Sequence, residues 1–137
     1  MVIQIRLAKT EDVKNITLIY EQIVKSRYES TINLNQSRIH HYCDNNKIDS
    51  KCKVIVLEEN QRFLGFICMI SKKNFGHVGI FLKYKKYMGL LILRAISEYC
   101  KDILKYEGIK NTSISTYHVN FKNVKELCVA KEKRDLK

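Results

Sequence analysis

Between Val54 and Leu82 three apolar runs, Val54 to Leu57, Phe63 to Ser71 and His77 to Leu82, follow one another with only Glu58 to Gln61 and Lys72 to Gly76 between them. Gaps that short, made of polar and turn-forming residues, suit hairpins, so the three runs are expected to form a meander of antiparallel strands. On both sides of this block the period of the apolar residues changes. Val2 to Ala8 alternates imperfectly through Val2 or Ile3, Ile5 and Leu7 and reads as a first strand. Thr10 then stands where a helix N-cap would. Glu11 and Asp12 fall in the first turn, where the helix dipole favours acids, and Val13, Ile16, Tyr20, Ile23 and Val24 recur at helical spacing as far as about Arg27.

Tyr28 to Asn33 is polar and reads as a loop, and Leu34, Ile39, Tyr42 and Cys43 suggest a second, short helix with Asn45, Asn46 and Asp49 at its exit. From Gly89 onward Leu90, Leu93, Ile96, Cys100, Ile103 and Leu104 share one helical face, and Gly108 is placed as a C-cap. Thr112 to Val119 sets Ile114, Thr116 and His118 against Ser113, Ser115 and Tyr117, a strand whose buried face the alternation leaves open. Asn120 to Lys133 is expected to form a last helix through Val124, Leu127, Cys128 and Lys131, followed by a frayed end over Arg134 to Lys137. With 137 residues, 45% apolar and 28% charged, the chain reads as one α/β (α+β) domain, residues 1–137, without repeat or linker.

The formal net charge of +11 is the compositional outlier. A surface that basic attracts phosphate, whether on nucleic acid, on coenzyme A or beside an acidic protein. Nineteen lysines against six arginines count against sequence-specific nucleic-acid reading, which leans on arginine forks. A genome rich in A and T, which enriches Lys, Asn and Ile, is the competing explanation of the charge. No apolar run reaches the roughly 20 residues of a membrane span, and the amino terminus lacks the pattern of a signal peptide, so a cytoplasmic setting is expected. The five cysteines, Cys43, Cys52, Cys68, Cys100 and Cys128, are odd in number and scattered, as reduced thiols are.

Several strings, taken in this order, resemble the GCN5-related N-acetyltransferase (GNAT) family. Ile5 to Val24 resembles its first strand and helix, Val54 to Met69 its second and third strands with Gly65 after an apolar residue, Val78 to Ile103 its fourth strand, phosphate loop and following helix, and Val119 to Cys128 the Asn-rich entry to its last helix. The resemblance implies a mixed, mostly antiparallel central sheet flanked by helices, in the order β-α-α-β-β-β-α-β-α. It also implies an acetyl-CoA site in which strand residues Phe81 and Leu82 offer backbone to the pantetheine arm. Lys83, Lys85, Lys86, Gly89 and Leu90 would then lie on the pyrophosphate path, where a helix start presents unpaired N–H groups.

The chain departs from the family pattern in three ways. In the phosphate loop, Lys86-Tyr87-Met88-Gly89-Leu90-Leu91 either keeps the first glycine and puts leucine last, or makes Gly89 the final glycine of a loop about three residues short. Where many members carry a tyrosine acid in the last helix, this chain has Cys128, with His77 or His118 as the imidazole that could take the amine proton. The usual final strand is not visible in Val129 to Lys137, which would leave a sheet edge for a homodimer or larger partner to cover.

His40, His41, Cys43 and Cys52 lack the paired spacing of a zinc site, and no metal is expected. Tyr84, Tyr87, Tyr99 and Tyr106 among lysines read more readily as helix packing than as a base-stacking surface. Two functions follow from the resemblance. The first is an acetyl-CoA-dependent N-acetyltransferase acting on an amine of a small molecule or protein. The alternative is a catalytically inactive module of the same fold that engages an acidic protein or nucleic acid through its basic surface.

Overall fold

A computed structural model of the chain describes residues 2–25, 36–48, 50–83, 89–118 and 132–135. The meander forms as the short gaps require. Strand β2 (Cys52–Glu59) pairs antiparallel with β3 (Arg62–Lys72), and β3 with β4 (Phe75–Leu82). The first connection is a two-residue turn in which Asn60 (φ 51°) and Gln61 (φ 65°) both take the left-handed conformation that matches strand twist. Strand β1 (Gln4–Leu7) lies antiparallel beside β2, β5 (Asn111–His118) runs parallel to β4, and β6 (Glu132–Asp135) pairs antiparallel with β5. The sheet order is β1-β2-β3-β4-β5-β6.

Alternation along each strand then decides which helix it meets. Val54, Val56, Phe66, Cys68, Phe81 and Tyr117 face α1 (Val13–Lys25) and α2 (Gln36–Asp44), packing on Ile16, Ile19, Tyr20, Ile23, Ile39 and Cys43. Their neighbours Ile55, Leu57, Ile67, Met69, Val78, Ile80 and Ile114 face the other way, onto Leu93, Ile96, Cys100 and Leu104 of α3 (Leu90–Tyr106). In β5 the four residues from Ile114 to Tyr117 are all buried, so both faces are covered.

Three close fits hold the layers. Gly108, at φ 82°, ends α3: its N–H bonds the Lys105 carbonyl and the Ile109 N–H bonds that of Leu104. A β-carbon on Gly76 would sit 2.8 Å from the Leu104 side chain, so glycine lets the end of α3 lie close on β4. In β3 the register slips beside Leu57/Glu58, and a β-carbon on Gly65 would run into the Phe81 carbonyl oxygen.

Two expectations need correction. Thr10 is not the N-cap of α1: a 3-10 turn, Thr10–Asp12, precedes that helix with Lys9 at its cap. The Asp12 carboxylate accepts the Lys9 N–H at 2.7 Å, so no hydroxyl is needed there, and Thr10 instead donates to Asp44 Oδ1 at 2.6 Å. A strand also exists where none was expected. Glu132 to Asp135 pairs with Ser113 to Thr116, so the outer edge of β5 is occupied, Glu132 and Lys133 are not helical, and Arg134 and Asp135 are not frayed. An edge strand is held by its backbone ladder and needs no apolar alternation, which these four charged residues lack. The rest of the expected last helix, 120–131, lies outside the described residues.

Candidate functional site

Strand β4 ends at Leu82, and Leu82 and Leu93 share one buried cluster, which sets the first turn of α3 beside the strand end. Gly89 caps that helix at φ −58° and ψ 146° with no side-chain hydrogen bond, and a β-carbon there would meet nothing within 4 Å. The first turn holds no acid, and Leu91 is 79% exposed, directed away from the core. The N–H groups of a helix start and the positive end of its dipole therefore lie at Gly89, where no atom of the described residues crowds an added β-carbon, an environment suited to an anion. Lys83, half-buried just before, ties its own N–H to the Leu64 carbonyl at 2.7 Å. Lys85 and Lys86 lie outside the described residues, as does the side chain of Leu90, whose backbone opens the helix.

The backbones of Phe81 and Leu82 are engaged on both sides. Phe81 stands between Phe66 and Tyr117, and Leu82 between Gly65 and His118. The three rings stack: Phe66 and Phe81 have centroids 4.6 Å apart at 7°, Phe81 and Tyr117 4.8 Å apart at 15°, and Tyr20 meets Phe81 edge-on at 5.7 Å. Over Phe75 to Leu82 the β4–β5 ladder has no gap. Tyr117 carries this contact, and nothing in the strand's alternation sets it apart from the serines sharing its face. Beside it Thr116, on the α3 side of β5 opposite Ile80, is fully buried with a hydroxyl that has no hydrogen-bond partner among the described residues.

The two imidazoles are far apart. His77 sits near the start of β4, on the α1 and α2 side of the sheet, stacked obliquely on Phe75 at 4.7 Å, with Nδ1 buried and without a hydrogen-bond partner among the described residues. Burial, and then the nearby Lys72 charge, hold its pKa below the ordinary value. Five residues of strand, roughly 17 Å, separate it from Leu82, and α3 lies on the opposite face. The structure does not bring His77 to the Gly89 turn. The His118 backbone stands opposite Leu82, at the same end of the sheet as that turn. Cys128 lies outside the described residues.

Among the described residues no three His, Cys, Asp or Glu side chains come together as metal ligands. His40 and His41 are exposed on α2, whereas Cys43 is buried beneath them. Burial pushes the thiol of Cys43 up to about 11 and that of Cys100 to about 12, and raises Cys68 further, so these three are poor nucleophiles at neutral pH. Tyr99 packs against the α3-side core and Tyr106 is exposed, while Tyr84 and Tyr87 lie outside the described residues. No helix among the described residues is long and apolar enough to cross a membrane.

Neither a protein-family profile nor a curated protein matches the sequence. Solved structures match the fold. The PaiA N-acetyltransferase of Thermoplasma acidophilum, in complex with coenzyme A, superposes with a TM-score of 0.66 at 16% identity over 85% of this chain and 80% of that one. A GNAT-family acetyltransferase of Staphylococcus aureus Mu50 gives 0.62 at 18% identity, over 85% of this chain and 75% of that one. An N-acetyltransferase of the same strain gives 0.60 at 20%, over 91% and 79%. At such identities the likeness is one of architecture: the chain has the GNAT acetyltransferase fold.

Proposed function

We propose that the chain transfers an acetyl group from acetyl-CoA to an amine carried by a small molecule or a protein. The observation that carries this reading is the open first turn of α3 at Gly89, in a fold shared with a structure that holds coenzyme A. Gly89 and Leu90 would offer backbone N–H groups to the pyrophosphate, and Lys83, Lys85 and Lys86 would supply charge along the same path. Acetyl-CoA supplies an activated thioester. The amine nitrogen forms a bond to its carbonyl carbon, the carbon–sulfur bond breaks, and the amine must lose a proton as the thiolate gains one.

Of the two imidazoles we assign that proton to His118, a reading supported by its backbone register opposite Leu82 and by the position of His77 on the other face and well along the strand. Cys128 is the candidate acid for the thiolate. Calorimetric titration of the full chain with acetyl-CoA, together with release of free coenzyme A thiol in the presence of polyamines, aminoglycosides and Lys-containing peptides, tests this reading. Binding weakened by K85E or K86E is expected. No binding at millimolar acetyl-CoA abandons the transferase.

The gapless β4–β5 ladder favours a second reading. If no space opens between those strands for a pantetheine chain, the fold serves as a non-catalytic module whose +11 charge meets an acidic protein or nucleic acid. Salt-sensitive retention on heparin without acetyl-CoA binding supports that reading, and acetyl-CoA turnover overturns it.

A further inference from the structure

The outer edge of β1 carries the inference furthest. Among the described residues β1 pairs only with β2, and it is the terminal strand of the sheet. The Ala8 N–H donates inward to the Val54 carbonyl at 2.9 Å. By strand alternation Gln4 and Arg6 also spend their backbone groups on β2, and Ile3, Ile5 and Leu7 turn theirs outward. Exposed strand edges are usually blunted by lysine, proline, a bulge or an inward-pointing charge. Here the strand is short, but none of those residues guards it. Arg6, its one charge, is tied to Asp12 through both terminal nitrogens at 2.8 Å and to Glu58 through Nε at 2.8 Å, and its Nη1 also donates to the Leu7 carbonyl at 3.2 Å, which leaves that oxygen one lone pair for a second strand.

The side chains of Ile3, Ile5 and Leu7 all lie on the α3 side of this edge. Beside them Ile3 and Ile5 share an apolar groove with Leu91, Ile92, Ala95 and Ile96 of α3, with Leu91 79% and Val2 76% exposed. Among the described residues the backbone groups of Ile3 and Ile5 and the Leu7 N–H have no strand partner, a row that fits another strand, and the side-chain sequence says which. We propose that this edge is a self-pairing interface, with β1 of a second copy of the chain laid antiparallel about a two-fold axis through Ile5.

In that register Ile5 faces its own copy and Ile3 faces Leu7, so each outward-turned residue meets an outward-turned residue and exchanges both hydrogen bonds. On the α3 side the row is wholly apolar. On the other side Gln4 faces Arg6 and Val2 faces Ala8, so no like charges oppose each other between Val2 and Ala8. The two-fold keeps both α3 helices on one side of the joined sheet and turns two grooves into one.

Sedimentation of the full chain from micromolar to submillimolar concentration, with amide hydrogen exchange at both extremes, tests the proposal. A species of twice the 16.2 kDa chain mass is expected, with the amides of Ile5 and Leu7 exchanging at least tenfold more slowly at high concentration. L91K, and separately V2K, both at exposed positions, should raise the dissociation constant at least tenfold with the circular dichroism unchanged. A monomer throughout the range, or a dimer indifferent to both substitutions and leaving the β1 amides unprotected, overturns it.

Discussion

Lys53 is fully buried on the α3 side of β2, and its ammonium meets both Glu107 oxygens, at 2.9 and 3.1 Å, at the end of α3. The two partners are not equivalent, because the Glu107 side chain keeps 19% of its exposure and Lys53 keeps none. E107Q leaves a buried ammonium without a counter-charge and is expected to cost about 3 to 5 kcal/mol, whereas K53M leaves a carboxylate that water reaches and fills the same space with apolar atoms, costing about 1 kcal/mol or less. Urea unfolding of both variants decides it, and equal losses would show that the pair acts as one unit. His77 is the residue through which acid should act. It resists protonation in the folded chain and accepts it near the ordinary value of 6.5 when unfolded, so its contribution is complete above that value and falls as pH drops below it. H77Q should flatten the loss of stability between pH 7 and pH 5, read from urea midpoints at the two pH values. Neither role could be seen in the sequence: Lys53 stands just before the apolar run that begins at Val54, and only the turn after α3 brings Glu107 to it.

At the scale of elements, turns and the apolar faces of α1 and α3 were legible, and the two-sided burial of β5 and the whole of β6 were not. The polar gap at Glu58 to Gln61 announced a hairpin, and Gly108 announced the end of α3, because left-handed backbone and short polar loops leave a local signature. Gln61 nevertheless holds φ 65° without being glycine. Q61G, in a two-residue turn that prefers Asn-Gly, should therefore stabilise the hairpin by about 1 kcal/mol in thermal or urea unfolding. An unchanged midpoint would mean that the unfolded chain's added freedom offsets the relieved strain. Strand β6 escaped because its pairing depends on Ser113 to Thr116 far back in the chain, and charged side chains say nothing of a backbone ladder. In β5 the burial of Ser115 and Thr116 likewise depends on layers stacked from both sides. Gly89 could be placed at the start of α3 from sequence, but the closed ladder beside it could not, since register between β4 and β5 is set by the helix that joins them.

For the whole molecule, the question is what must move if acetyl-CoA is to enter. The stack Phe66, Phe81 and Tyr117 crosses three strands, with Tyr20 of α1 against its middle ring, so parting β4 from β5 at that level would break the Phe81–Tyr117 contact, worth about 1 kcal/mol beyond its burial. Past Leu82 and His118 the described ladder ends, and the open turn at Gly89 lies at that same end of the sheet. Ligand entry by the least costly route therefore disturbs the strand ends and the first turn of α3 and leaves the ring stack in place. With saturating acetyl-CoA, amide hydrogen exchange should slow at residues 89–93, while exchange at Phe81 and Tyr117 stays within twofold of the free protein. Faster exchange at those two aromatic positions would mean that the strands separate down to the stack. Y117A would then tighten binding by lowering the cost of opening, whereas with an intact stack the same substitution should lower stability by about 3 to 5 kcal/mol without improving affinity.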